Sequence, residues 1–282
     1  MSDPSTLHAE QLAFWNGPAV MRWITKQEQM DAALAPVADA TIKLAAVRPG
    51  EKVLDIGCGS GATAIALAHL VGESGHVTGI DVSKQMIELA RRRAFGMKNI
   101  DLLLADAAAP DASLPQSDLL FSRFGVMFFG DPVAAFTNLR RTLKPGGRLV
   151  FASWRPLPEN PWMLVPLQAV LPLVPPLARP DPNDPGPFAF GDTERVARIL
   201  TAAGFTRPRH TPFDLAMLLG TNLDEAAEQA TSMGAASRAL RERPDAVVAA
   251  ARAAVRKALE PSLRGGKVTL PGAVWLVESA AA

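Results

Sequence analysis

The sequence predicts an α/β protein: a doubly wound, mostly parallel sheet of seven strands, with N-terminal helices and a proline-rich insertion after the fifth strand. Three observations predict it. The stretch Val53 to Ala68, VLDIGCGSGATAIALA, reads as a buried strand, a glycine turn and a small-residue helix that can pack closely on a sheet. From Val53 to Phe151 short apolar runs alternate with helical patterns, which implies parallel strands joined by right-handed crossovers. Asp55, Asp81, Asp106 and Ser122 each stand at the carboxyl end of such a run, where open α/β sheets bind their ligands.

Taken in order, residues 1–48 are rich in apolar side chains, among them Phe14, Trp15, Val20, Trp23 and Ile24. Ala32 to Val47 has a helical pattern, interrupted or begun again at Pro36. Strands are expected at Lys52–Ile56, His76–Asp81, Ile100–Leu104, Leu119–Phe121 and Arg148–Trp154, and helices at Ala62–Val71, Lys84–Phe95 and Pro132–Leu143. Ser83 and Asp131 are N-cap residues, the second with Pro132 at the first helical position. Arg155 to Gly191 is dense in proline, which forbids a long regular helix and leaves short turns over Trp162 to Leu173, and Asp181 to Phe190 reads as a loop. A helix over Asp192–Ala203 follows. Phe205–Leu215 is a sixth strand at or near an edge, because Pro208 and Pro212 lie in it. Helices over Leu223–Met233 and Pro244–Leu259 and a last strand over Val268–Val277 complete the chain. This divides it into residues 1–48, 49–154, 155–191 and 192–282.

The glycine turn suits two kinds of ligand. Gly57, Gly59 and Ala62 satisfy G-x-G-x-x-A, a dinucleotide fingerprint that is weak alone. Asp55, two residues before the first glycine, breaks the tie, since a carboxylate there repels a pyrophosphate and favours a cation. Asp81 ends the second strand, where a carboxylate can accept from both ribose hydroxyls. A nucleoside bearing positive charge, such as S-adenosylmethionine, meets both conditions.

The run DIGCGSG, then GIDVS, then ADA, then LKPGG resembles the class I S-adenosylmethionine-dependent methyltransferases, in the group that includes ubiquinone and menaquinone biosynthesis enzymes. The resemblance covers Pro49 to Trp154 and implies their Rossmann-like fold, with the N-terminal helices and the proline-rich segment as lids. It implies cofactor contacts from Asp55, Gly57, Cys58, Gly59, Asp81, Val82, Met86, Asp106, Ala107 and Ser122, with Asp106, Ala107 and Met86 near the adenine. It places Ser122 to Phe124 on the path to the methyl acceptor. Trp15, Trp23, Arg123, Phe124, Met127 and Trp154 are the expected acceptor residues. Trp15 and Trp23 serve either as lid aromatics or as packing, and Arg123 either binds an anionic acceptor or bonds to carbonyls or acids of the N-terminal helices. Of Met127, Phe128 and Phe129, two are expected to plug the core. The Asn/Asp-Pro-Pro-aromatic signature of amide and base methylation is missing after the fourth strand; Asn160-Pro161-Trp162 resembles it only superficially.

Composition narrows the function. The 282 residues are 48% hydrophobic with a net charge of +1, and no basic stripe argues for a nucleic-acid substrate. Cys58 is the one cysteine, which excludes an intrachain disulfide and a cysteine metal site, and there is no tyrosine to act as a base. No metal is expected. The first residues carry neither a basic nor an apolar run, so a soluble cytoplasmic enzyme acting on a small, apolar or aromatic metabolite is expected. No residue is assigned as catalyst: His8, His69, His76 and His210 all lie in ordinary positions. Methyl transfer from a sulfonium needs alignment and dryness more than a base. Two other readings remain: a catalytically silent S-adenosylmethionine-binding regulator, and an NAD-dependent oxidoreductase, which Asp55 disfavours.

Overall fold

A computed structural model describes residues 3–109, 113–176, 181 and 183–282. Pro180 and Pro182 of the proline-rich segment lie outside the described residues. The chain begins with helices α1 (Pro4–Asn16), α2 (Ala19–Thr25) and α3 (Gln27–Ala45). The alternating region follows as β1 (Lys52–Ile56), α4 (Ala62–Val71), β2 (His76–Asp81), α5 (Lys84–Arg93), β3 (Ile100–Leu104), β4 (Ser117–Arg123), α6 (Pro132–Arg141) and β5 (Leu143–Trp154). The remainder is α7 (Pro161–Val170), α8 (Thr193–Ala202), β6 (Arg209–Gly220), α9 (Leu223–Ser232), α10 (Gly234–Ala239), α11 (Asp245–Leu259), β7 (Leu263–Arg264) and β8 (Lys267–Ala280).

The sheet runs β3-β2-β1-β4-β5-β8-β6, with β7 paired to β8 beside this path. The expected seven strands are thus joined by an eighth, the two-residue β7 that forms the short hairpin across Gly265 and Gly266. β1 pairs in parallel with β2 on one side and β4 on the other, so the strand order switches at β1. That switch is where a ligand cleft opens in such sheets. β8 runs antiparallel to β5, from Trp154 opposite Val274 to Arg148 opposite Ala280. β6 lies at one edge, as a strand containing Pro212 must, although it starts at Arg209 and runs to Gly220, beyond the expected Leu215.

Asp131 and Ser83 cap α6 and α5 with their side chains, as the sequence predicts. Two proline expectations fail. α3 passes through Pro36 without a break, because Met30, Leu34, Val37 and Thr41 bury one face and outweigh the lost hydrogen bond. α7 is a full ten-residue helix, with Pro161 in its first turn, where no N–H is needed, and only Pro166 inside.

The chain divides into two units. The first comprises Met1–Trp154, Pro182–Phe213 and Val274–Ala282, and the second Arg155–Asp181 and Asp214–Ala273. The first is built on Val53, Leu67, Val71, Val77, Leu119 and Phe121, all almost fully buried. A group of rings, Phe136 against Phe151, Phe190 and Phe205 at 6.1–6.2 Å, extends that core. The second unit packs α7, α9, α10 and α11 through alanines such as Ala226, Ala227 and Ala251, which let the helices approach closely. No helix among the described residues is long and apolar enough to cross a membrane.

Asn160 organises the start of the second unit. It is fully buried, donates to the carbonyls of Arg155 (2.9 Å) and Ala273 (3.2 Å), and accepts from the Ala273 N–H at 2.9 Å and from the Trp162 indole at 3.2 Å. Its superficial likeness to a methylation signature therefore reflects a structural junction. Asn160→Ala strands these partners, and urea denaturation is expected to show a loss of roughly 2–4 kcal/mol, with no change in ligand affinity.

Candidate functional site

The glycine turn closes over the end of β1. The N–H groups of Gly57 and Cys58 both donate to the Ile80 carbonyl, at 2.9 and 3.0 Å, which ties the turn to β2. Gly57 is at φ +68°, and a Cβ there would stand 2.7 Å from the Gly125 Cα, so the turn also fits tightly against the loop after β4. Gly59, at φ +55°, has no atom within 4 Å of where a Cβ would stand. The turn is thus closed on the protein side and open on the other, a cradle for a ligand that approaches the backbone. Cys58 is buried against Gly79, and burial pushes its thiol well above the ordinary range, so it is a packing residue and no nucleophile.

Two carboxylates face this turn. Asp55 is fully buried, and its Oδ2 accepts from the Thr63 hydroxyl at 2.6 Å, while its Oδ1 has no hydrogen-bond partner among the described residues. Burial raises its pKa to about 7, against the lowering effects of the Thr63 hydrogen bond and the Arg123 charge. Asp81 accepts from the Gly59 N–H at 2.9 Å and the Ser83 N–H at 2.8 Å, and burial raises its pKa as well. Each carboxylate oxygen keeps an unused lone pair. Their charges are close enough that Asp81 raises the pKa of Asp55. Asp81 thereby holds the turn and is part of the scaffold.

The ends of β3 and β4 add the next residues. Asp106 accepts from the Ala108 N–H at 2.8 Å and pairs with His8 Nε2 of α1 at 2.7 Å; Ala107, next in the chain, is buried, as is Met86 in α5. Ser122 is fully buried, donates to the Ile56 carbonyl at 2.8 Å and accepts from the Gly125 N–H at 3.1 Å. Its hydroxyl is spent on locking β4 to the end of β1. Phe124, at φ +69°, lies flat on Trp154, with ring centroids 4.4 Å apart. Met127 is buried and Phe129 packs edge-on against Phe136, so these two are the plug, whereas Phe128 meets Trp15 at 5.2 Å.

α1 spans these loops. Its Asn16 donates to the Val82 carbonyl at 3.0 Å and accepts from the Lys84 N–H at 3.2 Å, its Trp15 touches Phe128 and Trp23, and its His8 reaches Asp106. No side chain of α1 is buried. Trp15 and Trp23 are therefore half-buried partners of one another beside the loop after β4. The sequence reading missed Thr63, His8 and Asn16. Only Asn16, before Gly17 at a helix end, carries a local signal. Among the described residues no three His, Cys, Asp or Glu side chains group to hold a metal.

Residues 48–174 match a family model described as a methyltransferase domain. The chain is 42% identical over 106 residues to the aklanonic acid methyltransferase DauC of Streptomyces sp. (strain C5), covering 37% of this chain and 48% of that one. It is 33% identical over 190 residues to the nocamycin O-methyltransferase of Saccharothrix syringae, covering 64% and 68%. It is 38% identical over 104 residues to the demethylmenaquinone methyltransferase of Staphylococcus aureus (strain JH9), covering 37% and 43%. The first and third relatives are thus matched over less than half of their length. In fold it is similar to the YcgJ protein of Bacillus subtilis, with a TM-score of 0.56 at 18% identity over 86% of this chain and 97% of that one. The chain belongs to the class I S-adenosylmethionine-dependent methyltransferases.

The buried acid makes stability depend on pH. The folded chain holds the Asp55 proton up to about pH 7, whereas the unfolded chain loses it near 3.8. This share of stability is fully present below pH 3.8 and is lost as the pH rises through 7. Asp55→Asn is therefore expected to stabilise the ligand-free protein at pH 8, by up to roughly 4 kcal/mol, and to leave it nearly unchanged at pH 4. Urea titrations of both proteins at the two pH values check this; equal gains at both would contradict it.

Proposed function

We propose that this chain moves a methyl group from S-adenosylmethionine to a small, apolar or aromatic metabolite by in-line displacement. The observation that carries the reading is the dehydrated oxygen of Asp55, which has no donor from the protein and stands beside an open glycine cradle. A buried acid with an unused oxygen accommodates a cationic group and repels a phosphate bridge. The donor, when bound, supplies a methyl group already activated on sulfur.

The chain's own residues then have separable tasks. Asp81 presents its spare lone pairs to a ribose diol while keeping Gly59 and Ser83 in place. Asp55 holds the cationic end. Asp106 and Ala107 stand where the resemblance puts the adenine. The stacked pair of Phe124 and Trp154 offers an apolar wall at the ends of β4 and β5, suited to a flat acceptor. α1, crossing the loops after β2, β3 and β4, excludes water from what lies beneath. The names of the relatives, an acid and an O-methylated natural product among them, favour a small-molecule acceptor and methylation on oxygen.

Ligands that bind only the folded state raise its melting temperature. S-Adenosylmethionine and S-adenosylhomocysteine are expected to do so, and NAD is not. A shift with NAD, or none with either sulfur compound, would overturn the reading. Asp81→Ala is expected to weaken S-adenosylhomocysteine by about 100-fold in calorimetry, for two ribose hydrogen bonds to a charged acceptor. That substitution is also expected to lower the melting temperature of the free protein, because it releases the backbone N–H groups of Gly59 and Ser83.

A further inference from the structure

Arg123, the last residue of β4, has no hydrogen-bond or ion-pair partner among the described residues. It is largely buried yet not sealed off, and dehydration pulls its guanidinium pKa down, although the charges of Asp31 and Asp55 raise it. None of its donors makes a hydrogen bond or ion pair with the described residues. The two acids near it are otherwise disposed. Asp31 is taken by Arg93 at 2.7 Å, with Gln27 on the same oxygen. Asp55 bonds to Thr63 through one oxygen and to nothing through the other. Arg93, anchored on the Ser60 carbonyl at 2.7 Å, adds a second positive charge to the same region.

A guanidinium withdrawn from water with no acceptor is costly, and its fork of donors matches one kind of partner best, a planar anion with two oxygens. We propose that Arg123 is the receptor for a carboxylate of a bound ligand. Arg123 at the end of β4 and Asp55 at the end of the neighbouring β1 are unpaired groups of opposite sign. Together they suit an amino-acid end group, the cation toward Asp55 and the carboxylate toward Arg123. The stacked rings of Phe124 and Trp154, which begin one residue on, equally allow the carboxylate to belong to a flat acidic acceptor. The inference rests on the proposed donor for its choice of probes.

The test uses the full chain, wild type and with Arg123→Met or Arg123→Lys. One arm measures S-adenosylhomocysteine and 5′-methylthioadenosine by calorimetry; the second lacks the amino-acid end. The other arm titrates S-adenosylhomocysteine-saturated protein with a panel of aromatic carboxylates and their methyl esters. One charge-assisted pair is expected to cost about 30-fold in the Met variant, partly restored by Lys. A loss for S-adenosylhomocysteine but not for 5′-methylthioadenosine assigns the carboxylate to the donor. A loss for a carboxylate but not for its ester assigns it to the acceptor. Arg123→Met is also expected to melt no lower than wild type, since it removes an uncompensated charge. Affinities unchanged in both arms would overturn the inference, as would a Met variant that melts several degrees lower, which would reveal a partner within the protein. Wild type that binds S-adenosylhomocysteine alongside an unchanged variant overturns this inference alone; wild type that binds none overturns the donor reading with it.

Discussion

The site depends on keeping one carboxylate dry. Asp55 sits at the strand end where the sheet reverses order, covered by the glycine turn, with one oxygen satisfied and the other not. Everything around it serves that condition. Gly57 and Gly125 bring two loops into contact that any side chain would force apart. Ser122 uses its hydroxyl to hold those loops together. Thr63 supplies a single hydrogen bond, enough to orient the acid but too little to satisfy it. The free protein carries this cost, which the proposed cationic donor would relieve.

In the first unit β1 and β2 are buried along most of their length and so read as apolar runs with a polar end, whereas β4 and β5 extend beyond the expected residues, to Ser117–Arg123 and Leu143–Trp154. β1, β2 and β3 begin and end where their patterns do. Proline misled the reading elsewhere. In α3 and α7 a tertiary face overrides a local break, and a single missing N–H does not end a helix that packs along its whole length. In β6 the strand begins only after Pro208 and continues through Leu218 and Leu219, a length that pairing within the sheet decides and local pattern does not.

The site was legible in part. The positions of Asp55 and Asp81 toward strand ends, and of the glycines in the turn after β1, were legible from the pattern. Ser122 was placed correctly in the chain, but its hydroxyl turns to the scaffold. Asp131 is the cap it was expected to be. His8, whose position in the sequence is ordinary, pairs with Asp106, and Asn16 binds the loop after β2. Such contacts join residues far apart in the chain and leave no periodic trace. Arg123 suits either an anion receptor or an ion bonded within the fold, and its lack of a partner among the described residues, on which the carboxylate proposal rests, is visible only once the neighbours are seen.

A dry acid awaiting a cation should release its proton when the cation arrives. Calorimetric titration of the protein with S-adenosylmethionine at pH 6.5, repeated in buffers of different ionisation enthalpy, counts that proton. With Asp55 near pKa 7, roughly three-quarters of a proton should leave per site on binding, and Asp55→Asn should abolish the release. Binding that releases no proton, or releases as many from the Asn variant, would contradict the account.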